Sequence, residues 1–421
     1  MLGAMRWARV AVAIALAGCR GPTTPATAPR AGSGGPTAAA ATATATKGMV
    51  EGGVRPHHEE AVVECGATIP DSADDDARVS ALLDEANKDL EQGTYAAAWT
   101  CADRATDLAP TSVEANHLRG AALAALGRDT EAQTAYSLAL ALDPDDPETL
   151  RAVADFYING KGERGRDALR LGLELAERGS RRAIARRRRN APLAADLAVL
   201  EAQALNDLGR SDEALERVDA ALRIAPGRGD ALHEKGVALF DLSRFVDAKT
   251  VLQKALAAQP DDAYTHQMLG LTLEQLGEST AADGELQKAV QLAPGELSPP
   301  VLISVPEFQK EIDAVLATLP PERRAHVQSI KVEIADLPDP TDLKAVTPPF
   351  PPTILGLYRG PVGRAPVAGD EPPSIVLYRK NLARAVKNRT ELTEQIRDTL
   401  LHEIGHLEGL DEDDLRRRGM E

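Results

Sequence analysis

The sequence predicts a mainly α protein, an α-solenoid followed by a small α+β domain. Three observations predict it. A 34-residue period of small residues, glycines and prolines fills the middle of the chain. Apolar residues make up 43% of the 421 residues but aromatics only 3%, so Ala, Leu and Val carry the burial, and Ala favours close-packed helices. Past about residue 299 the period stops, prolines multiply and short β-rich runs take over. The formal net charge of −16 argues against nucleic acid as a partner, because phosphate would be repelled.

Residues 1–18 read as a secretory signal. Arg6 and Arg9 form its positive region, and Val10 to Ala17 form an apolar run too short for a hydrocarbon core that needs about 20 residues. The run ends in Leu16-Ala17-Gly18-Cys19, which resembles the lipobox of bacterial lipoproteins. The resemblance implies acylation of Cys19, which becomes the new N-terminus. Loss of Arg6 and Arg9 then moves the formal charge from −16 to −18. The expected location is the bacterial cell envelope, lipid-anchored at the outer membrane or periplasmic face, with the membrane as a partner through that lipid. Residues 19–78 are expected to be a flexible tether and leading segment. Gly21 to Val54 is rich in Ala, Thr, Pro and Gly and has no apolar period, so it cannot bury enough surface to offset ordering. His57-His58-Glu59-Glu60 could touch a metal, but nothing fixes their geometry, and they read as a polar part of the linker.

The solenoid is expected over residues 79–296, in about six units. Small residues recur at Ala98, Ala132, Ala214, Ala248 and Ala282, and again at Ala105, Ala139, Ala221, Ala255 and Ala289. Pro110, Pro144, Pro226, Pro260 and Pro294 follow, each stopping a helix because proline has no N–H and clashes with the preceding turn. Gly93, Gly127, Gly209 and Gly277 mark the turn inside each unit, with Ser243 standing in once. The pattern resembles the tetratricopeptide repeat, a helix–turn–helix unit. Units are placed at 79–112, 113–146, 195–228, 229–262 and 263–296, and 147–194 is read as a lengthened sixth unit without its terminal proline. Such arrays curve into a groove that holds a protein or peptide partner, or serve only as spacers. Inside the lengthened unit Arg178, Arg181, Arg182 and Arg186 to Arg189 form a cluster. It reads as a solvated helix face, or as a dock for an acidic protein segment or anionic lipid headgroups.

The C-terminal domain is expected over residues 304–421. Val305 to Leu319 reads as a helix, Ser329 to Ala335 as a strand, and Thr353 to Tyr358 and Ser374 to Tyr378 as short β-rich runs. Thr390 is expected to cap a long helix that runs through Leu400-Leu401-His402-Glu403-Ile404-Gly405-His406-Leu407 and ends at Gly409. His402 and His406 are four apart, so they stack on one helical face and can reach one ion. Glu403 lies beside that face, where it can act as a general base. The acidic run Asp411-Glu412-Asp413-Asp414 follows the reversal that Gly409 permits.

Residues 304–421 resemble the small zincin-like metallopeptidases of minimal zincin fold. Leu355-Gly356-Leu357-Tyr358-Arg359-Gly360, Ser374-Ile375-Val376-Leu377-Tyr378-Arg379 and Thr399 to His406 carry the likeness. It implies one Zn2+, His402 and His406 as ligands, Glu403 as catalytic base, and a substrate along a sheet edge. The family commonly places Asp ten residues after the first histidine as third ligand; Glu412 stands there, flanked by Asp411 and Asp413 as alternatives, and Asp413 is expected to cap a final helix. The reading is a zinc metallopeptidase whose repeats recruit a protein substrate or partner. The alternative is a tetratricopeptide binding scaffold with an inactive or structural zincin domain. The repeats are expected to form a core separate from this domain.

Cys65 and Cys101 are the cysteines left once Cys19 is acylated. In an oxidising compartment they are expected to form a disulfide worth about 3–5 kcal/mol, pinning the leading segment to the array.

Overall fold

The computed structural model describes residues 63–160, 165–185, 190–361 and 372–418. The signal with Cys19, the tether through His57 to Glu60, and Arg186 to Arg189 lie outside the described residues.

The array is a succession of antiparallel helix pairs: α1 (Asp75–Gln92) with α2 (Tyr95–Leu108), α3 (Val113–Ala125) with α4 (Asp129–Leu142), α5 (Pro147–Asn159) with α6 (Arg166–Ala185), α7 (Ala191–Asp207) with α8 (Ser211–Ile224), α9 (Gly229–Asp241) with α10 (Phe245–Ala258), and α11 (Ala263–Gln275) with α12 (Ser279–Leu292). The periodic alanines are buried where paired helices meet, since a methyl group lets two backbones approach closely. Side-chain caps start several first helices: Ser112 accepts from the Ala115 N–H, Asp146 from Thr149 and Asn190 from Leu193. The lengthened unit owes its length to α6, which has 20 residues where most second helices have 14. Cys65 and Cys101 are joined by a disulfide, which ties the leading segment to α2.

After the array come α13 (Val305–Thr318), α14 (Pro321–Gln328), β1 (Lys331–Ala335), α15 (Pro340–Leu343), β2 (Gly356–Arg359), β3 (Ser374–Tyr378), α16 (Arg379–Arg384), α17 (Arg389–Leu407) and α18 (Glu412–Arg417). A capping box of Ser304 and Glu307 starts α13. The strands form one sheet in the order β1-β3-β2, with β1 parallel and β2 antiparallel to β3. The first strand begins at Lys331 rather than Ser329, and the second runs 356–359 rather than 353–358. Asn388, not Thr390, caps α17, its side chain accepting from the Glu391 N–H.

Alternate residues of a strand face opposite sides of its sheet, and here both sides are covered. Ile375 and Leu377 of β3 and Tyr358 of β2 pack on Phe308 and Ile312 of α13 and on Ile396, Leu400 and Ile404 of α17. Val376 and Tyr378 face the other way. They share a core with Leu343 and Ile354 and with Leu239, Phe240, Phe245, Leu269 and Leu273 of the repeats. Beside that core, buried Glu274 of α11 pairs with Lys380 Nζ at 3.0 Å and accepts from Arg384 Nη2 at 2.6 Å. The expectation of separate cores is therefore corrected. The last repeats cover a sheet face that the C-terminal domain leaves open.

Candidate metal centre

Helix α17 carries His402, Glu403 and His406 on the side turned into the domain, and all three are buried or half-buried. Its last turn ends at Gly409, whose φ of 86° is open to glycine and costly for other residues. The Leu410 N–H donates to the Gly405 carbonyl across that reversal. Asp411 then caps α18, its side chain accepting from the Asp414 N–H at 2.8 Å. This corrects the assignment of the cap to Asp413, which instead pairs with Arg416 at 2.8 Å on the exposed side of α18. With Asp411 committed to the cap, the next residue turns back toward α17. Glu412 Oε1 lies 3.2 Å from His406 Nε2 and 3.8 Å from His402 Nε2.

Among the described residues, His402, His406 and Glu412 are the group whose donor atoms lie close enough together to hold one metal ion, all within 4.8 Å of one another. Two imidazole nitrogens and one carboxylate oxygen are the donor set of a catalytic zinc site, which uses three protein ligands and keeps a further position open. The residues therefore fit the ion. The imidazole rings stand nearly perpendicular, at 85°. His406 Nδ1 lies 3.0 Å from the Leu410 carbonyl, so that nitrogen carries the proton and Nε2 is left to bind. Burial works to raise the Glu412 carboxyl, but the two histidines beside it together outweigh burial and hold it down at about 2. Burial likewise works to lower His406, and Glu412, Glu403 and the Leu410 carbonyl together outweigh it and raise the imidazole.

Glu403 lies beside the trio. Burial raises its carboxyl above the ordinary range, against the pull of His402, His406 and the nearby Tyr358 backbone. Strand β2 reaches Glu403 because Gly356 has no side chain: a Cβ there would stand 2.8 Å from Thr399 Cγ2 and 3.1 Å from Glu403 Oε1. Sequence reasoning missed this close approach. Gly356 lay inside a segment that carries the family likeness, but nothing in the sequence said which atoms it let approach.

The sequence of residues 327–420 matches the zincin-like metallopeptidase family, and tetratricopeptide repeats match over 83–147, 205–272 and 263–296. The C-terminal domain is zincin-like, and tetratricopeptide repeats precede it. No curated protein matches the chain. Similar solved structures include one described as the functional characterization of Pseudomonas aeruginosa pilF, 15% identical with a TM-score of 0.44, covering 57% of this chain and 99% of that one. PilW, described as a widely conserved type IV pilus biogenesis factor, is 16% identical with a TM-score of 0.44, over 52% of this chain and 94% of that one. YrrB, described as a TPR protein with an unusual peptide-binding site, is 16% identical with a TM-score of 0.34, over 46% and 93%.

Of the arginine cluster, Arg178 and Arg182 reach Asp145 at 2.8 and 2.7 Å, and Arg181 lies 3.8 Å from Glu177. All three pair with acidic residues of the array itself.

Proposed function

We propose that this chain is a zinc-dependent peptidase of the bacterial cell envelope, anchored by lipid on Cys19, whose repeats recruit a protein substrate or partner. One observation carries the hydrolytic reading: two histidine Nε2 atoms converge on one Glu412 oxygen beside a buried Glu403.

His402, His406 and Glu412 would hold the ion. Zinc in such a set supplies a Lewis acid and makes nearby water more acidic. The chain's own residues do the rest. The Leu410 carbonyl fixes the His406 tautomer. The bare backbone at Gly356 leaves room for the Glu403 carboxylate, and burial makes that carboxylate a readier proton acceptor. Glu403 takes the proton of the attacking water as the peptide carbonyl is attacked, then passes it to the departing amine.

The test is hydrolysis of a peptide and protein library by residues 60–421, set against Glu403→Gln. Turnover by the wild type and loss in the variant supports the reading. Zinc bound with no turnover on any substrate favours the alternative, a protein-binding scaffold with a structural zincin-like domain. The Cys65–Cys101 disulfide agrees with an exported chain, since such bonds persist in oxidising compartments. Wild type should partition with membranes and Cys19→Ser should not; an unmodified cysteine at the native N-terminus would defeat the anchor.

A further inference from the structure

We propose that Asp342 and Arg359, on the repeat-facing side of the sheet, are positioning residues that hold the edge strand β2 against Glu403. The proposal rests on Glu403 being the general base. Among the described residues β2 pairs only with β3, over four residues, so few backbone bonds fix its place. Yet β2 lies directly against Glu403, since a Cβ at Gly356 would stand 3.1 Å from Glu403 Oε1. A one-residue slip would turn every side chain of β2 to the opposite face and put one where only the bare backbone at Gly356 fits.

What resists that slip is a polar cluster on the opposite face. Arg359 Nε donates to Asp342 Oδ1 at 2.9 Å and Nη2 to Oδ2 at 2.7 Å, a two-pronged pairing that fixes angle as well as distance. The Tyr378 hydroxyl of β3 donates to the same Oδ2 at 3.1 Å, and Arg359 Nη1 lies 3.6 Å from Glu333 Oε2 of β1. One carboxylate thus ties α15, β2 and β3 together, and β1 joins through the guanidinium. Asp342 is itself held. Asp339 caps α15 by accepting from the Thr341 N–H, and Leu343 next door is fully buried in the core shared with the repeats. The line of support runs from the last repeats through α15 and Arg359 to β2, and so to the carboxylate. The metal ligands belong to α17 and α18, and the pairings of Asp342 and Arg359 named above are with residues of β1, β2, β3 and α15.

That separation makes the test. In the full chain, Asp342→Asn weakens the paired contact at constant shape, and Arg359→Lys keeps the charge while losing the two-pronged fit. Both variants should bind zinc as the wild type does. Amide hydrogen exchange along β2 should quicken by about tenfold or more, because the strand is held less firmly against β3. Peptide turnover should show kcat reduced by about tenfold or more with KM changed little, the mark of a misplaced catalytic group. A folded Asp342→Asn and a folded Arg359→Lys with wild-type exchange along β2 would overturn the proposal. If Glu403→Gln turned over peptides normally, the general-base reading would fall instead, and exchange along β2 would still decide whether the cluster holds the strand.

Discussion

The atoms that matter most at the residue scale are the Glu412 carboxylate and the missing side chain of Gly356. Glu412 faces both histidines, whereas Asp411 caps α18 and Asp413 pairs with Arg416. Glu412→Ala should therefore cost more zinc affinity than the about 10–100-fold typical of outer-shell changes. Asp411→Ala and Asp413→Ala should leave zinc titrations close to wild type. If Asp413→Ala lost the ion and Glu412→Ala kept it, the ligand assignment would be wrong. Gly356→Ala should retain zinc and lose turnover, because the new methyl group meets Thr399 and Glu403 at sub-contact distances. Thermal unfolding should show a loss of about 1–3 kcal/mol from the same crowding. His402, Glu403 and His406 were legible in the sequence because a helix period puts them on neighbouring faces. The order among Asp411, Glu412 and Asp413 depended on which residue caps α18, a choice made by one backbone hydrogen bond.

At the scale of elements, the turn between α9 and α10 departs from its siblings. Ser243 takes a φ of 55° where four other units place Gly93, Gly127, Gly209 and Gly277 at φ of 75–78°. Its buried hydroxyl also has no hydrogen-bond partner. Ser243→Gly should stabilise the array by about 1 kcal/mol, read from urea unfolding; a loss of stability would refute the strain. The C-terminal end of α9 holds Asp241, whose carboxyl burial pushes up to about 7, with Asp207 and Glu234 adding to the push and a bond from Ser211 opposing it. The folded state then keeps the proton over a range in which the unfolded chain, ionising near 3.8, has lost it. This group's contribution falls as pH rises from about 4 to about 7, and is fully lost above that. Asp241→Asn should match the wild type near pH 3.5 and exceed it at pH 8, by up to about 4 kcal/mol. An equal gain at both pH values would mean that burial does not perturb Asp241. The helix pairs were plain in the alanine, glycine and proline spacing. The short helices α14, α15 and α16 were not, because a turn or two of helix gives too few residues to display a period, and α18 was legible only as a final helix whose cap was placed at Asp413 rather than Asp411.

At the scale of the whole molecule, the zincin-like domain and the repeats are two sides of one sheet. The continuous apolar run Ile375-Val376-Leu377-Tyr378 carried this in the sequence, since a strand apolar on both faces is covered on both. Which element supplied the second cover was not legible, because contacts at Phe240 and Leu273 lie more than a hundred residues away. A fragment of residues 299–421 should expose Val376, Tyr378 and Ile354, bind hydrophobic dyes and aggregate, whereas in the full chain it should melt together with the last repeats. A fragment that folded cooperatively at the melting temperature of the full chain would contradict the shared core. The central claim is tested most directly by adding zinc stepwise to metal-free full-length protein while following peptide hydrolysis. Turnover should rise in proportion to zinc and stop rising at one ion per chain, with Glu403→Gln binding the same single ion and staying flat. Hydrolysis that was independent of zinc, or that survived in Glu403→Gln, would contradict it.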